Sequence, residues 1–565
     1  MSPFGQTRLN GATSSNLALP AIFLAVLVVM LPMLVQGVPD GNDLLQHMRF
    51  AAAYHDAIVR GDFIPAWVGG ENSGYGSIGV RYYPPFAYVL LAVGKMLSGS
   101  WYYSFLANAF FWMLAGCLGV YLWAREWVDA PLAVFASVLY AIAPYHTFQI
   151  YQAVLFAEFA AAGVIPFCFL FLTRTCREPN RRNAVLLAIS ASLLVLTHIP
   201  STIIGVLGLG VYALFILDRS KLAATFKCLF GAGIAVMCST AFHWIKLVTE
   251  ISWVKHSLPN YYASGYYDYH KYFFPMYLVA PAERYVQRLL WHLDISIVLT
   301  ILFAVPAVVL IIRRLRGSLP TIAEARHSSS LGGAFTVSIL MLSMASSFVW
   351  NAVPFLAKLQ FPWRWLLVST AVGPVLFVAA SSWLTAPSQK PGRVQIYLTT
   401  SFVLGLALFS LTQNALLSGA LSESKFTTLV TEMNEREACP CWWPVWAKGE
   451  ALNRSEKAAA GARHVSIIEW ADERRAIFVS DGEPQDLRVA TFYHPYWKAL
   501  VNGVEAPVTS DPAGAITIAL PAYAARIELA FTEPRILSAA KALSVMLWAV
   551  MLILAAMEWM QRRLS

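Results

Sequence analysis

Apolar runs of about twenty residues recur along most of this 565-residue chain, separated by short polar turns. "ALPAIFLAVLVVMLPMLVQ", "SIVLTILFAVPAVVLII" and "LSVMLWAVMLILAAMEW" are three of them. A helix rises about 1.5 Å per residue and needs ~20 apolar residues to cross ~30 Å of hydrocarbon. Each run therefore predicts a transmembrane helix. Twelve spans follow, near 17–36, 103–124, 130–144, 153–173, 184–198, 201–217, 226–247, 294–312, 332–349, 365–384, 395–416 and 537–559. "PPFAYVLLAVGKML", residues 84–97, is as apolar but only 14 residues long. A re-entrant or interfacial helix is expected there, with a short true span as the alternative. Between 417 and 535 the period changes to two. "VSIIEW", "RAIFVS", "LRVATFY", "AITIAL" and "ARIELAF" alternate as half-buried strands do, and Asn502-Gly503 marks a hairpin turn. The fold class is thus a polytopic α-helical membrane protein with a small β-sandwich-like domain. It divides into a multi-span module at 1–416, the β-rich domain at 417–535, and a C-terminal anchor with a basic tail at 536–565.

Composition and charge add orientation. Hydrophobic residues make up 58% of the chain and charged ones 13%, against about 25% charged in soluble domains. The net charge of +9 comes from short basic loops (Arg174, Arg177, Arg181 and Arg182; Arg219, Lys221 and Lys227; Arg313, Arg314 and Arg316). Such loops stay on the cytoplasmic side. No basic face with interleaved aromatics occurs, so nucleic acid is not an expected partner. The basic "MQRRLS" end places the C-terminus in the cytoplasm, and twelve spans bring the N-terminus there too. The first apolar segment reads as an anchor rather than a cleaved signal, since its core is too long. The outer side then holds 37–102, 144–152, the turn at His198, 248–293, 350–364 and the β-rich domain. Five of the seven cysteines lie in or beside apolar spans. Cys439 and Cys441 stand in a polar Cys-Pro-Cys, where a two-Cys zinc site lacks nearby partners and a local disulfide is open if the compartment is oxidising.

The unusual polar residues gather on that outer side. Asp43 and His47, in the first outer loop, share one helical face, with Asp40 a turn earlier. Glu158 sits just inside a predicted span, where an ionised group is costly and usually paired or functional. His198 ends another span at the same level, and His146 lies in the short piece 144–152. Arg81 in "GVRYYPPF", beside Tyr83, and Arg364 in "LQFPWRW" are cations among aromatic and proline residues. His270 and Lys271, in "YYASGYYDYHKYFF", add donors. Carboxylates, imidazoles and guanidiniums at one level suit attack by a hydroxyl on a phosphate-linked sugar. A base takes the acceptor proton, and fixed cations hold the departing phosphate. Arginine's planar fork fits phosphate oxygens in pairs.

"Asp43-x3-His47 … Gly61-Asp-Phe-Ile-Pro65-Ala-Trp67" followed by "Tyr82-Tyr-Pro84-Pro85" resembles bacterial membrane glycosyltransferases of the GT-C superfamily. "Phe361-Pro-Trp-Arg364-Trp" and "Phe492-Tyr-His-Pro-Tyr-Trp-Lys-Ala-Leu-Val-Asn-Gly" are similar to its YfhO-type branch, which overlaps 6-pyruvoyl-tetrahydropterin synthase-related membrane proteins. The resemblance implies transfer of a sugar from a polyprenyl-phosphate donor at the outer face of the bacterial cytoplasmic membrane. The acceptor would be a lipid, a glycan or a protein, with membrane lipids as surroundings. It maps the essential acid of the first outer loop onto Asp43, with Asp40 as substitute, and a second acidic position onto Glu158. Catalytic roles are accordingly expected for Asp43, His47 and Glu158. Substrate binding is expected for Arg81, Tyr83, His146, His198, His270, Lys271 and Arg364. No protein metal site is expected, and a divalent cation is left open as cofactor. Gly41-Asn42-Asp43 replaces the paired acids of many members, which argues against metal-dependent oligosaccharyl transfer. A pterin-synthase zinc site would need histidines that this chain lacks, having no His-x-His. A lipid-linked sugar transporter and a non-catalytic scaffold for the β-domain are the competing readings.

Overall fold

The computed structural model describes residues 17–258, 267–278, 284–316, 322–384, 393–433, 439–448 and 456–564. The first part of the tyrosine-rich loop, 261–266, lies outside the described residues. Among the described residues, ten helices are long and apolar enough to cross a membrane. Helices Phe156–Arg177 and Pro362–Leu384 form the centre, each with 89% of its apolar window buried by protein. Around them, helices such as Ala18–Gln36, Arg219–Ser239 and Arg393–Leu416 present exposed Leu, Val and Phe outward, as lipid-facing helices do.

Of the roughly twelve spans expected, two correspond to shorter helices, and a third ends early. The run expected at 184–198 is helix Arg181–Val195, of 15 residues. That at 332–349 has its apolar part confined to Ser329–Leu342. The span expected at 226–247 breaks at Thr240, after which a separate helix, Ala241–Glu250, brings its buried Lys246 to Glu533 and Glu250 to Arg81. Residues 84–97 form helix Phe86–Ser98, whose 13 residues reach only ~20 Å.

The chain leaves the first helix through β1 (Val38–Pro39), which pairs antiparallel with β2 (Ala420–Leu421). The remaining strands are β3 (Ala458–Ala459), β4 (Val465–Trp470), β5 (Arg474–Val479), β6 (Gln485–Phe492), β7 (Trp497–Val501), β8 (Val504–Ala506), β9 (Thr509–Ser510), β10 (Ala515–Leu520) and β11 (Ala525–Phe531). They make two sheets, β3-β6-β10-β9 and β4-β5-β11-β7-β8. Alternation along β5, β6, β10 and β11 turns Ile477, Val489, Ile518 and Leu529 into one shared core. Asn502 and Gly503, both with positive φ, turn the β7–β8 hairpin as the sequence predicts.

A buried ion cluster joins this sandwich to the helices. Arg81 donates to both carboxylate oxygens of Glu250, at 2.9 Å and 3.0 Å, and to Glu533 Oε1 at 2.6 Å. Lys246 and Lys541 complete it, at 3.1 Å and 2.7 Å from Glu533. Burial alone would push the Glu533 carboxyl up, but Lys246, Arg81 and Lys541 outweigh it and hold it well below the usual carboxylate range. Arg81 and Glu250 have no exposed side-chain surface, so removing one charge strands the other. Arg81→Ala is expected to cost about 3–5 kcal/mol, read as a lowered melting temperature in detergent. An unchanged melting temperature would deny the cluster its structural role.

Candidate active site

A cavity of about 720 Å³ opens between the helical bundle and the strap that leads to the sandwich. Much of its wall is apolar, from Leu289, Leu290 and Leu293 on one helix and Ile203, Leu247 and Phe355 elsewhere. Asp43, His47, Tyr83, His198, His256, Lys358, Gln360 and Arg364 are among its polar groups, with Arg49 a further cation on the wall.

Asp43 stands immediately before helix Leu44–Val59. Its loop is pressed against the turn that precedes the Glu158 helix, with Asp43 N–H donating to Ala153 O at 3.3 Å. Gly41 permits this approach, because a Cβ there would lie 2.6 Å from Val154 Cγ2 and 2.9 Å from the Ala153 carbonyl carbon. The Asp43 side chain is exposed, but into the cavity and amid protein. Burial raises its carboxyl to about 6, against the pull of Arg364 and with the help of Glu158. A carboxylate with that affinity for protons suits a general base near neutral pH.

Arg364 lies in the 3-10 turn Pro362–Trp365 that opens one central helix, and Glu158 in the first turn of the other. Arg364 Nε donates to Glu158 Oε2 at 3.0 Å, and Nη1 donates to Leu359 O at 2.7 Å and Gln360 Oε1 at 3.2 Å. Glu158 also accepts from Gln149 Nε2 at 3.2 Å and from the Tyr145 hydroxyl. Nη2 of Arg364 has no partner among the described residues, and the residue faces the cavity. Its guanidinium is held at Nε and Nη1, which leaves Nη2. Lys358, exposed at the same wall, has no side-chain partner among the described residues. Glu158 compensates Arg364, while Lys358 has no salt bridge among the described residues.

Several expected site residues have other employment. His47 borders the cavity, but Nε2 accepts from Phe156 N–H at 3.1 Å and Nδ1 bonds the Tyr88 hydroxyl at 2.7 Å. Both nitrogens are committed, and His47 anchors the start of the Glu158 helix. Glu158, expected to be catalytic, is not among the residues that line the cavity and pairs with Arg364. Arg81 is consumed by the ion cluster and does not line the cavity. His146 packs on Tyr140, with ring centres 4.2 Å apart, and bonds Gln149 at 3.3 Å behind the wall. His270 bonds Asp268 at 2.8 Å and Asn351 at 3.2 Å, away from the cavity, and Lys271 does not line it either. His198 does line it, capping helix Ile199–Ile216 with Nδ1 2.8 Å from Ser201 Oγ. Sequence reasoning missed Lys358, His256 and Gln360. The one available signal was a second cation six residues before Arg364 in the same loop. Cys439 and Cys441 are disulfide-bonded to each other. Among the described residues, no three His, Cys, Asp or Glu side chains are grouped to hold a metal ion.

Residues 80–418, more than half of the chain, match the model of the 6-pyruvoyl-tetrahydropterin synthase related domain, described as a membrane protein. The chain belongs to that family. No protein of curated function matches it. Among solved structures it is similar to the oligosaccharyltransferase of Archaeoglobus fulgidus, solved with an inhibitory peptide and a dolichol-phosphate. That match has 14% identity and a TM-score of 0.42, and covers 76% of this chain and 59% of the other. The arabinofuranosyltransferase AftD from Mycobacteria matches at 14% identity and TM-score 0.44, over 72% of this chain and 27% of the other. ArnT from Cupriavidus metallidurans bound to undecaprenyl phosphate matches at 14% identity and TM-score 0.32, over 90% and 98%. The chain thus spans less than two thirds of the first two relatives.

Proposed function

We propose that this family member transfers a sugar from a polyprenyl-phosphate donor to an acceptor hydroxyl at the outer face of the bacterial cytoplasmic membrane. Both termini would then lie in the cytoplasm, with the cavity and the sandwich on the periplasmic side. The observation that carries the reading is one apolar-walled cavity that receives both the Asp43 carboxylate and the free edge of Arg364. The aliphatic wall suits an isoprenoid chain, and Arg364 with Lys358 suits its phosphate. In the step, the acceptor oxygen forms a bond to the anomeric carbon while the bond from that carbon to the phosphate oxygen breaks. Asp43 takes the acceptor proton, and the electron pair leaves with the phosphate, whose charge Arg364 and Lys358 hold. Phosphate leaves readily, so no acid is needed on the departing side.

Membrane lipids and surface glycans of cells with and without the protein test the reading. A sugar-bearing lipid, glycan or protein should disappear with the protein, while an unchanged envelope profile would oppose it. The raised Asp43 pKa adds a pH expectation. Only the ionised carboxylate accepts a proton, so transfer should fall about tenfold per pH unit below about 6 and level off above. A profile flat from pH 5 to 8 would remove Asp43 from the proton step.

A further inference from the structure

The cavity has a second, aromatic stretch of wall. It belongs to the strap Cys439–Lys448, which the Cys439–Cys441 bridge ties at its start. Within that turn Trp442 N–H donates to Cys439 O at 3.0 Å. The strap is stitched to residues 253–255, where Val445 N–H donates to Trp253 O and Lys255 N–H to Trp443 O, each at 2.9 Å. Trp442 is half-buried and borders the cavity that Asp43 and Arg364 enter. Tyr83 stands edge-on to it at 6.0 Å between ring centres, and His256 packs at 4.8 Å. His256 in turn lies 3.5 Å from Gln360, the side chain that accepts from Arg364. The aromatic stretch is therefore coupled through two side chains to the guanidinium.

An isoprenoid tail asks only for aliphatic surface, which Leu289, Leu290 and Leu293 already provide. A flat indole beside hydrogen-bonding groups and next to a phosphate clamp suits a different ligand part. A pyranose or furanose ring lays its C–H face on an aromatic plane and turns its hydroxyls to neighbouring polar groups. We propose that Trp442, braced by the Cys439–Cys441 bridge and flanked by Tyr83 and His256, is the platform for the carbohydrate ring of the substrate. This subsite rests on the glycosyl-transfer reading and adds the residues that hold the sugar.

Gly79 offers an independent handle. A Cβ there would lie 2.9 Å from Trp442 Cγ and 3.0 Å from its Cβ, so Gly79→Ala must displace the indole without removing any polar group. The test uses the full-length protein in lipid nanodiscs. The probes are undecaprenyl phosphate and the same lipid carrying mannose, glucose or arabinose. The wild type should bind at least one sugar-bearing lipid more tightly than the bare one. Trp442→Leu, which keeps apolar volume but loses the flat face, should lose about fivefold to tenfold for that lipid. Its affinity for bare undecaprenyl phosphate should stay within about twofold of the wild type's. Trp442→Phe should retain the preference, while Gly79→Ala and Cys439→Ser with Cys441→Ser should lose it in the same selective way. Equal weakening toward both lipids, no weakening, or a wild type without preference would overturn the subsite. Failure of the wild type to bind either lipid would instead remove the transferase reading beneath it.

Discussion

Arg364→Ala, combined with Glu158→Gln, is expected to raise KM for a polyprenyl-phosphate donor by about 100-fold, and by more than Asp43→Asn does. The arginine is held by Glu158, Leu359 and Gln360, which leave Nη2 directed to the cavity. A donor phosphate there meets a guanidinium that needs no reorientation on binding. The pair of substitutions matters because Arg364→Ala alone would leave Glu158, only 2% exposed, as an uncompensated buried charge. That single change should cost about 3–5 kcal/mol of stability, and a loss of activity would then report unfolding. In the double variant Gln149 and Tyr145 still have a side-chain amide to bond. A KM within about twofold of wild type, in a variant of normal melting temperature, would mean that the phosphate sits elsewhere.

Asp43→Asn is expected to lower kcat by about 100-fold to 10,000-fold, the range that a positioned general base contributes. Donor affinity should hold or improve, since the change removes a negative charge from the phosphate's vicinity. Stability should be kept, because Asp43 holds its loop through backbone bonds, from its N–H to Ala153 O and from His47 N–H to its own carbonyl. The separation of kcat from KM distinguishes this variant from the Arg364 pair. A scaffold or a passive sugar-lipid transporter would tolerate Asn at this position. Full transfer activity in Asp43→Asn would end its assignment as base.

Periodicity carried most of the architecture, because helix spans and strands each impose their own repeat on the sequence. What it could not reveal was where tertiary packing stops a helix. Thr240 ends one at the point where Ala241–Glu250 turns its polar residues into the junction with the sandwich. Arg81 shows the corresponding limit at the site. Its partners Glu250 and Glu533 are 169 and 452 residues away, so nothing local marks it as a structural cation. His47 is four residues from Asp43, as the pattern says, yet Phe156 and Tyr88 claim its ring nitrogens. Asp43 and Arg364 stand out as candidates because each carries charge beside glycine, proline or aromatic residues at the edge of an apolar run. Lys358 and His256 lacked such a frame, and only the closing of the loops around the cavity gives them their place.

The most direct measurement is a cryo-electron microscopy map of the protein in a nanodisc with undecaprenyl phosphate. The phosphate should appear against Nη2 of Arg364 and near Lys358, its chain along Leu289 and Leu293, with the Asp43 carboxylate facing the same chamber. Lipid phosphate bound outside that chamber, or Asp43 turned out to bulk water, would contradict a chemistry built on these groups.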